Sequence, residues 1–266
     1  MRPSVVTVAG LSLAAALLGP AGQAGAALDS YLVVGFDQAE QAISVTAGPG
    51  LVAMGDEELA ITGDAAEITL AMSEGSTLLV FDAAASPFVT CSPPSPGPKS
   101  SLTCATSGRT GKVLVDMSAA SVGTTTAVNP DATEIALIFR GGLGPDYVQG
   151  GRLADRIAGG PGDDDLFGGR GDDEVLGEQG ADQVDGERGS DVVNGGPGDD
   201  YVVGDGDVDT DEGQKGDPDW ISGGPGVDVV DALDGVKDHR VDCENAPGLG
   251  KVTIDYREPQ RVTPST

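Results

Sequence analysis

The stretch GGPGDDDLFGGRGDDEVLG, residues 159–177, decides how the second half of the chain folds. By composition alone it looks like a disordered linker, because glycine and aspartate favour turns and carboxylates crowd the segment. It also contains one pattern twice, nine residues apart: Asp164 and Leu166 are followed by Asp173 and Val175 at the matching places. A disordered segment has no reason to keep an aliphatic residue at a fixed spacing, so the period predicts a folded repeat.

The nine-residue pattern extends well beyond this stretch. Residues 141–203 divide without insertion into seven units: GGLGPDYVQ, GGRLADRIA, GGPGDDDLF, GGRGDDEVL, GEQGADQVD, GERGSDVVN and GGPGDDYVV. Every unit begins with glycine, has aspartate at the sixth place and has Val, Ile or Leu at the eighth. Residues 204–222 follow the pattern loosely, and GGPGVDVVD, residues 223–231, restores it. This periodicity is typical of a solenoid.

Each part of the unit has a physical role. The glycine-rich first six residues suit a tight turn, and the last three suit a short strand whose middle side chain faces a core. If two units make one coil, alternate turns lie on the same edge of the solenoid. The aspartates expected on one edge are Asp146, Asp164, Asp182 and Asp200, and those expected on the other are Asp155, Asp173, Asp191 and Asp209. The aliphatic side chains expected to form the core are Val148, Ile157, Leu166, Val175, Val184, Val193 and Val202.

Stacked carboxylates repel one another unless a cation lies between them. Neighbouring strands are about 4.8 Å apart, and so are the turns that follow them. Ca²⁺, a hard cation that takes roughly six to eight oxygen ligands, can bind an aspartate from each of two stacked turns together with backbone carbonyls. Residues 141–234 contain 25 acidic and 5 basic residues, so they hold most of the net charge of -28. The pattern therefore predicts calcium binding coupled to folding.

The repeats resemble the hemolysin-type (RTX) calcium-binding repeat family through GGPGDD at 159–164, GGRGDD at 168–173 and GGPGDD at 195–200. The resemblance covers residues 141–231, about a third of the chain. It implies a parallel β-roll with calcium between successive turns, bound by the sixth-place aspartates and by carbonyls of the glycine turn. The residues expected to bind metal are the eight aspartates named above together with Asp228.

Some units depart from the family pattern. Leu153 replaces the fourth glycine of its unit, and Glu178 and Glu187 replace the second glycine of theirs. We expect weaker calcium binding or altered geometry at these turns, which involve Asp155, Asp182 and Asp191. The segment DGDVDTDE, residues 205–212, begins like an EF-hand loop but lacks its glycine and its final glutamate, which favours a decorated loop on the roll.

The N-terminus has the features of a secretory signal peptide. Arg2 is followed by an apolar run over residues 5–18 and by small residues at 24–27. The run is shorter than the roughly 20 residues of a membrane-spanning helix, although an uncleaved anchor is the alternative. We expect residues 1–27 to be removed and the mature protein to be secreted. The RTX family usually uses a C-terminal export signal, so an N-terminal signal argues against the usual toxin or protease context.

Residues 28–140 contain short runs rich in β-branched residues, such as AISVTA, EITLAM and KVLVDM, which indicate strands of a β-sandwich or the first coils of a solenoid. Export favours a disulfide between Cys91 and Cys104, which bracket a proline- and serine-rich loop. Cys243 is then left over, and three unpaired thiols are the alternative. The predicted fold class is all-β: an N-terminal β-rich module (28–140), a parallel β-roll (141–234) and a short capping segment (235–266).

The composition argues against several functions. A net charge of -28 does not suit nucleic acid or anionic lipid as a partner. His239 is the only histidine in the sequence, which excludes a histidine-rich zinc site and gives no support to a Ser-His-Asp triad. We therefore predict an exported, non-enzymatic calcium-binding protein. The alternative is an adhesin or cell-surface interaction protein in which calcium stiffens the scaffold and the N-terminal module binds a partner.

Overall fold

The computed structural model describes residues 31–47, 58–73, 78–81, 89–91, 101–106, 111–120, 123, 125–128, 134–205, 217–232, 238–242 and 251–254. All regular secondary structure in these residues is β-strand, which confirms the all-β prediction. Among them there is no helix long and apolar enough to cross a membrane. The predicted signal peptide and Cys243 lie outside the described residues.

The strands of the described residues are short, and most of them have three to six residues. They are β1 (Tyr31–Asp37), β2 (Ala42–Ala47), β3 (Glu58–Gly63), β4 (Glu67–Met72), β5 (Leu78–Phe81), β6 (Thr90–Cys91), β7 (Ser101–Ala105), β8 (Lys112–Asp116), β9 (Thr125–Val128), β10 (Ala136–Arg140), β11 (Tyr147–Gln149), β12 (Arg156–Pro161), β13 (Asp165–Arg170), β14 (Glu174–Gln179), β15 (Gln183–Arg188), β16 (Val192–Asn194), β17 (Tyr201–Val203), β18 (Trp220–Ser222), β19 (Val229–Ala232), β20 (Arg240–Asp242) and β21 (Lys251–Ile254).

The strands form two sheets. The first has the order β20-β18-β16-β14-β12-β10-β8-β2-β1-β5, and the second has the order β21-β19-β17-β15-β13-β11-β9-β3-β4-β7-β6. From β8 onward, successive strands alternate between the sheets, and each pairs in parallel with the strand two places later. Each coil therefore contributes one strand to each sheet, which is the arrangement of a parallel β-roll.

The register shows one coil every 18 residues in the regular part of the roll, where Tyr147 pairs with Asp165 and Gln183 pairs with Tyr201. The next step is longer, because Tyr201 pairs with Val229, 28 residues later. Two nine-residue units thus make one coil, and the additional chain of the longer coil includes residues 206–216, outside the described residues.

The core is a double column of aliphatic side chains between the sheets. All eighth-place side chains of the seven regular units are at most 1 % exposed. In the second sheet Val148, Leu166, Val184, Val202 and Val230 are adjacent in register. In the first sheet the adjacent residues are Ile157, Val175, Val193, Ile221 and Val241. Because side chains alternate along a strand, the seventh-place residues face outward.

The N-terminal strands continue the same two sheets. Strand β10 pairs in parallel with β8 on one side and with β12 on the other, so the first sheet runs without interruption past residue 140. Antiparallel pairs β1–β2 and β3–β4 lie at the N-terminal ends of the sheets. Cys91 and Cys104, adjacent in the register of β6 and β7, form a disulfide. One buried apolar cluster extends from Leu32 to Val241.

Candidate metal centre

Sixth-place aspartates form two ladders, one along each edge of the roll. In both, the Oδ1 atom of every aspartate after the first accepts a hydrogen bond from the backbone N–H of the aspartate one coil earlier, at 2.7–3.2 Å. The first ladder consists of Asp146, Asp164, Asp182, Asp200 and Asp228. The second ladder consists of Asp155, Asp173, Asp191, Asp219 and Asp238.

The second ladder contains two aspartates that the sequence analysis missed, Asp219 and Asp238. Asp209, which was expected to follow Asp191 on this edge, lies outside the described residues. Within them, the N–H of Asp191 donates to Asp219, and the N–H of Asp219 donates to Asp238. The signal for Asp219 was present, since the aliphatic Ile221 follows it by two places, as in the regular units.

Asp238 was harder to find because its unit has one additional residue. The aliphatic Val241 follows Asp238 by three places rather than two. The additional residue brings two N–H groups, those of His239 and Arg240, to the carbonyl oxygen of Asp219, at 2.7 and 3.2 Å. After this turn the parallel pairing of Ile221 with Val241 restores the register.

The other carboxylate oxygen, Oδ2, approaches the first glycine of each unit. A Cβ atom at Gly168 would lie 2.7 Å from Oδ2 of Asp173 and 2.6 Å from the carbonyl oxygen of Gly186. At Gly195 the same position would lie 2.5 Å from Oδ2 of Asp200 and 2.7 Å from the carbonyl oxygen of Gly223. Each such glycine thus leaves space where a carboxylate oxygen meets a carbonyl oxygen of the next coil, and any side chain would fill it.

The Oδ2 atoms of Asp146 and Asp155 accept the backbone N–H groups of Gly142 and Gly151, at 3.1 and 2.7 Å, whereas five Oδ2 atoms of later units have no such donor. Buried Oδ2 atoms that accept no hydrogen bond belong to Asp164, Asp173, Asp182, Asp191 and Asp200. Buried carboxylate oxygens normally have a donor or a cation beside them, because removing the charge from water is costly. Their recurrence at the same place in successive coils makes them candidate ligands of a cation.

The electrostatics of the ladders support this interpretation. Burial raises the pKa of Asp155, Asp164, Asp173 and Asp200 from about 3.8 to about 7, and neighbouring carboxylates add to the effect. Desolvation likewise raises the pKa of Asp182 to about 6, that of Asp191 to about 9 and that of Asp228 upward. Hydrogen bonds from the backbone oppose the shift but do not cancel it. A bound divalent cation would favour the ionised form and reverse these shifts.

The oxygen atoms along the ladders suit a hard cation as ligands. Among the described residues, no three acidic, histidine or cysteine side chains are grouped closely enough to hold a metal ion by themselves. A cation in a ladder would therefore combine carboxylates of adjacent coils with carbonyl oxygens of the turns. Calcium accepts such an all-oxygen set, whereas zinc prefers nitrogen and sulfur ligands.

Glu178 and Glu187 keep the backbone conformation of the glycines that they replace. Their φ angles are 71° and 66°, in the left-handed region that Gly160 and Gly169 also occupy. For a residue with a Cβ atom this conformation costs about 1–2 kcal/mol. The backbone of these turns thus follows that of the glycine-containing turns, and an effect of the substitutions on calcium affinity stays a prediction.

The fifth-place aspartates have a different role, which the sequence analysis also missed. Asp163, Asp172 and Asp199 are exposed, and each accepts a hydrogen bond from a backbone N–H of the next turn on its edge. The donors are Ala181, Ser190 and Val227, at 2.9, 3.1 and 2.9 Å. The Asp-Asp doublets of the repeat therefore combine an outer residue that ties coils together with an inner residue of a ladder.

Comparison with known protein families agrees with this geometry. Residues 140–175, 176–211 and 215–236 match the family described as the RTX calcium-binding nonapeptide repeat (4 copies). The match confirms the resemblance, and this part of the chain consists of RTX calcium-binding nonapeptide repeats. No curated protein and no solved structure matches the chain.

Proposed function

We propose that this chain is an exported calcium-binding protein whose β-roll folds when Ca²⁺ binds between stacked turns. The observation that carries the proposal is the pair of buried aspartate ladders, in which the Oδ2 atoms of Asp164, Asp182 and Asp200 on one edge and of Asp173 and Asp191 on the other accept no hydrogen bond. Within the described part of the roll, the first ladder contains four pairs of adjacent aspartates and the second contains four. Each pair is a candidate calcium site, completed by carbonyl oxygens of the turns.

The bound calcium has a structural role in this proposal. It supplies positive charge where the fold buries carboxylates, and the chain's own residues hold it in place. In Asp182 and Asp191, Oδ1 is already held by a backbone N–H of the adjacent coil, so the carboxylate is oriented and Oδ2 remains to face the ion. The first-place glycines keep the space open. No catalytic step is part of the proposal.

Folding coupled to calcium follows from the cost of burying these charges. Without a cation, the folded roll at neutral pH must either protonate its ladder aspartates or bury their charge, and both cost free energy. Repulsion within a segment with 25 acidic and 5 basic residues favours an expanded chain. Calcium removes both penalties, so its binding free energy contributes directly to folding.

We further propose that residues 1–27 direct export, that 28–140 form a β module, that 141–234 form the calcium-binding roll and that 235–266 cap it.

Extracellular calcium modules bind with dissociation constants of about 0.1–1 mM. A roll tuned to this range would stay open at low calcium and become ordered outside the cell. Among the described residues, the large exposed hydrophobic side chains belong to the roll, between Leu143 and Val227. The alternative, an adhesin whose N-terminal module binds a partner, stays a prediction.

Calcium titration of the mature chain, followed by calorimetry and by far-ultraviolet circular dichroism, tests the proposal. We expect heat of binding and a gain of β signal that a chelator reverses. Asp173→Asn removes a charge shared by two adjacent pairs and should weaken binding there about tenfold, because ligand charge sets calcium affinity. Asp172→Asn is the matched control, since it removes an exposed charge and Asn can still accept the N–H of Ser190. Absence of calcium binding by the parent, or equal titrations for both variants, would refute the assignment.

A further inference from the structure

The longer coil of the roll places a third carboxylate beside the second ladder. Asp191 and Asp219 are adjacent in that ladder although 28 residues separate them in sequence. The turn between them begins with Gly204 and Asp205, and Asp205 occupies the second place of its unit, where most units have glycine. Asp205 is only 8 % exposed, whereas Glu178 at the same place of another unit is exposed.

The contacts around Gly204 locate Asp205 next to this pair of aspartates. The carbonyl oxygen of Gly204 lies 2.6 Å and Oδ2 of Asp191 lies 2.5 Å from the position of a Cβ atom on Gly186. A Cβ atom on Gly204 itself would lie 2.5 Å from Oδ2 of Asp219. Gly204 therefore lies between the two carboxylates of one candidate site, and Asp205 is the next residue.

The carboxylate of Asp205 is fixed inside the turn. Its Oδ2 accepts the backbone N–H of Asp217 at 2.9 Å, which joins the two ends of the inserted segment. The carboxylate of Asp205 is thus buried one residue from Gly204, which lies between the Oδ2 atoms of Asp191 and Asp219. Independently, Asp191 is fully buried and its Oδ2 accepts no hydrogen bond. An unsatisfied oxygen next to a third negative charge points to a cation.

We propose that Asp205 determines the affinity of the cation site between Asp191 and Asp219, making it the tightest site of the roll and the most selective for ions of high charge, so that the charge of Asp205 outweighs the weakening expected from Glu187 in the unit of Asp191. This inference rests on the proposed calcium-binding function. Asp205 acts through its charge rather than as a third carboxylate ligand, in agreement with the grouping of side chains described above. The attraction between a buried charge and an ion is proportional to the charge of the ion, so a trivalent lanthanide gains more from Asp205 than calcium does.

The chain contains its own reporter for this site. Trp220, the only tryptophan in the sequence, directly follows Asp219. Terbium bound between Asp191 and Asp219 is therefore expected to emit when the tryptophan is excited. Terbium between Asp219 and Asp238 is also next to Trp220, so the emission reports the two pairs that share Asp219, of which only the pair with Asp191 adjoins Asp205. Ions in the other turns lie farther along the roll and should contribute less to this signal.

The test is a terbium titration of the mature chain with selective excitation of tryptophan, followed by displacement with calcium. In the parent, the tryptophan-sensitised emission should saturate before the total terbium binding does. Asp205→Asn should raise the midpoint of this emission at least about tenfold, and raise the calcium midpoint by a smaller factor. Asp199→Asn is the control: this exposed residue also accepts a backbone N–H at 2.9 Å, from Val227, and its midpoint should stay within about twofold of the parent.

Asp205→Gly gives an independent measurement, because it restores the residue that most units have at this place and removes the same charge. Circular dichroism at saturating calcium checks that each variant folds. If a folded Asp205→Asn or Asp205→Gly protein keeps the parent midpoint within about twofold, Asp205 does not set the affinity and the inference is overturned. If the parent itself shows neither calcium heat nor calcium-displaceable emission, the proposed function fails first.

Discussion

Val192 and Val193 provide a sharp test of the β-roll, because two identical substitutions at neighbouring positions should differ greatly in cost. Val193 is 1 % exposed and lies in the core column, adjacent in register to Val175 and Ile221. Val192 faces outward and is 43 % exposed. Val→Ala removes the same two methyl groups and the same β-propensity at either position, so only burial distinguishes the two variants.

The expected magnitude follows from the core geometry. Two buried methyl groups are worth about 0.8 kcal/mol each, and the cavity left between rigid sheets adds to this. Val193→Ala should therefore lower the free energy of unfolding by about 2–3 kcal/mol. Val192→Ala should lower it by about 0.5 kcal/mol or less, mainly through reduced β-propensity. For a chain of this size the difference corresponds to about 4–10 °C in Tm.

The assay is urea and thermal unfolding at one fixed excess of calcium, followed by far-ultraviolet circular dichroism. Calcium must be held constant, because a ligand that binds only the folded state changes the apparent stability. Calcium stoichiometry should be unchanged in both variants, since neither residue provides an oxygen ligand. Equal destabilisation by the two substitutions, or a loss below about 0.5 kcal/mol for Val193→Ala, would show that this side chain is not in a packed core.

Three further predictions concern the turns. In calcium-free buffer the pKa values of the ladder aspartates are raised from about 3.8 to about 6–9, so the folded roll binds more protons than the unfolded chain. The free energy of unfolding should therefore be greatest below about pH 4 and fall as the pH rises through 6–9. An equal β signal of the chelated protein at about pH 4.5 and about pH 8 would contradict this. Glu178→Gly should stabilise the calcium-loaded roll by about 0.5–1 kcal/mol in urea unfolding, because its φ of 71° suits glycine, and a loss of stability would show that the Glu178 side chain compensates for the strain. Gly168→Ala would place a methyl group 2.7 Å from Oδ2 of Asp173 and should weaken calcium binding at that turn about tenfold, so parent-like calorimetry would argue against the site.

Much of the fold could be predicted because a solenoid is built from local contacts. Each coil contacts mainly its neighbours, so the nine-residue period alone implied the strand spacing, the column that contains Val184 and the alternation of aspartates such as Asp164 and Asp173 between two edges. The pairing of Cys91 with Cys104 was within reach for a similar reason, since the two residues are close in sequence. For these features, the spacing of residues along the chain is enough to predict which residues lie next to one another in the fold.

The tertiary structure decided what lies beyond the strict repeat. After the irregular segment, counting in nines does not lead to Asp219 or Asp238, because inserted residues change the count while parallel pairing of β18 with β16 and β20 restores the register. The continuity of the sheets across residue 140 and the burial of Asp205 are likewise decided by which strands pair and which turns stack. The sequence alone determined the repeating unit and its chemistry. Once the period breaks, counting along the chain no longer gives the register between coils. The hydrogen bonds between coils then determined where the aspartate ladders continue.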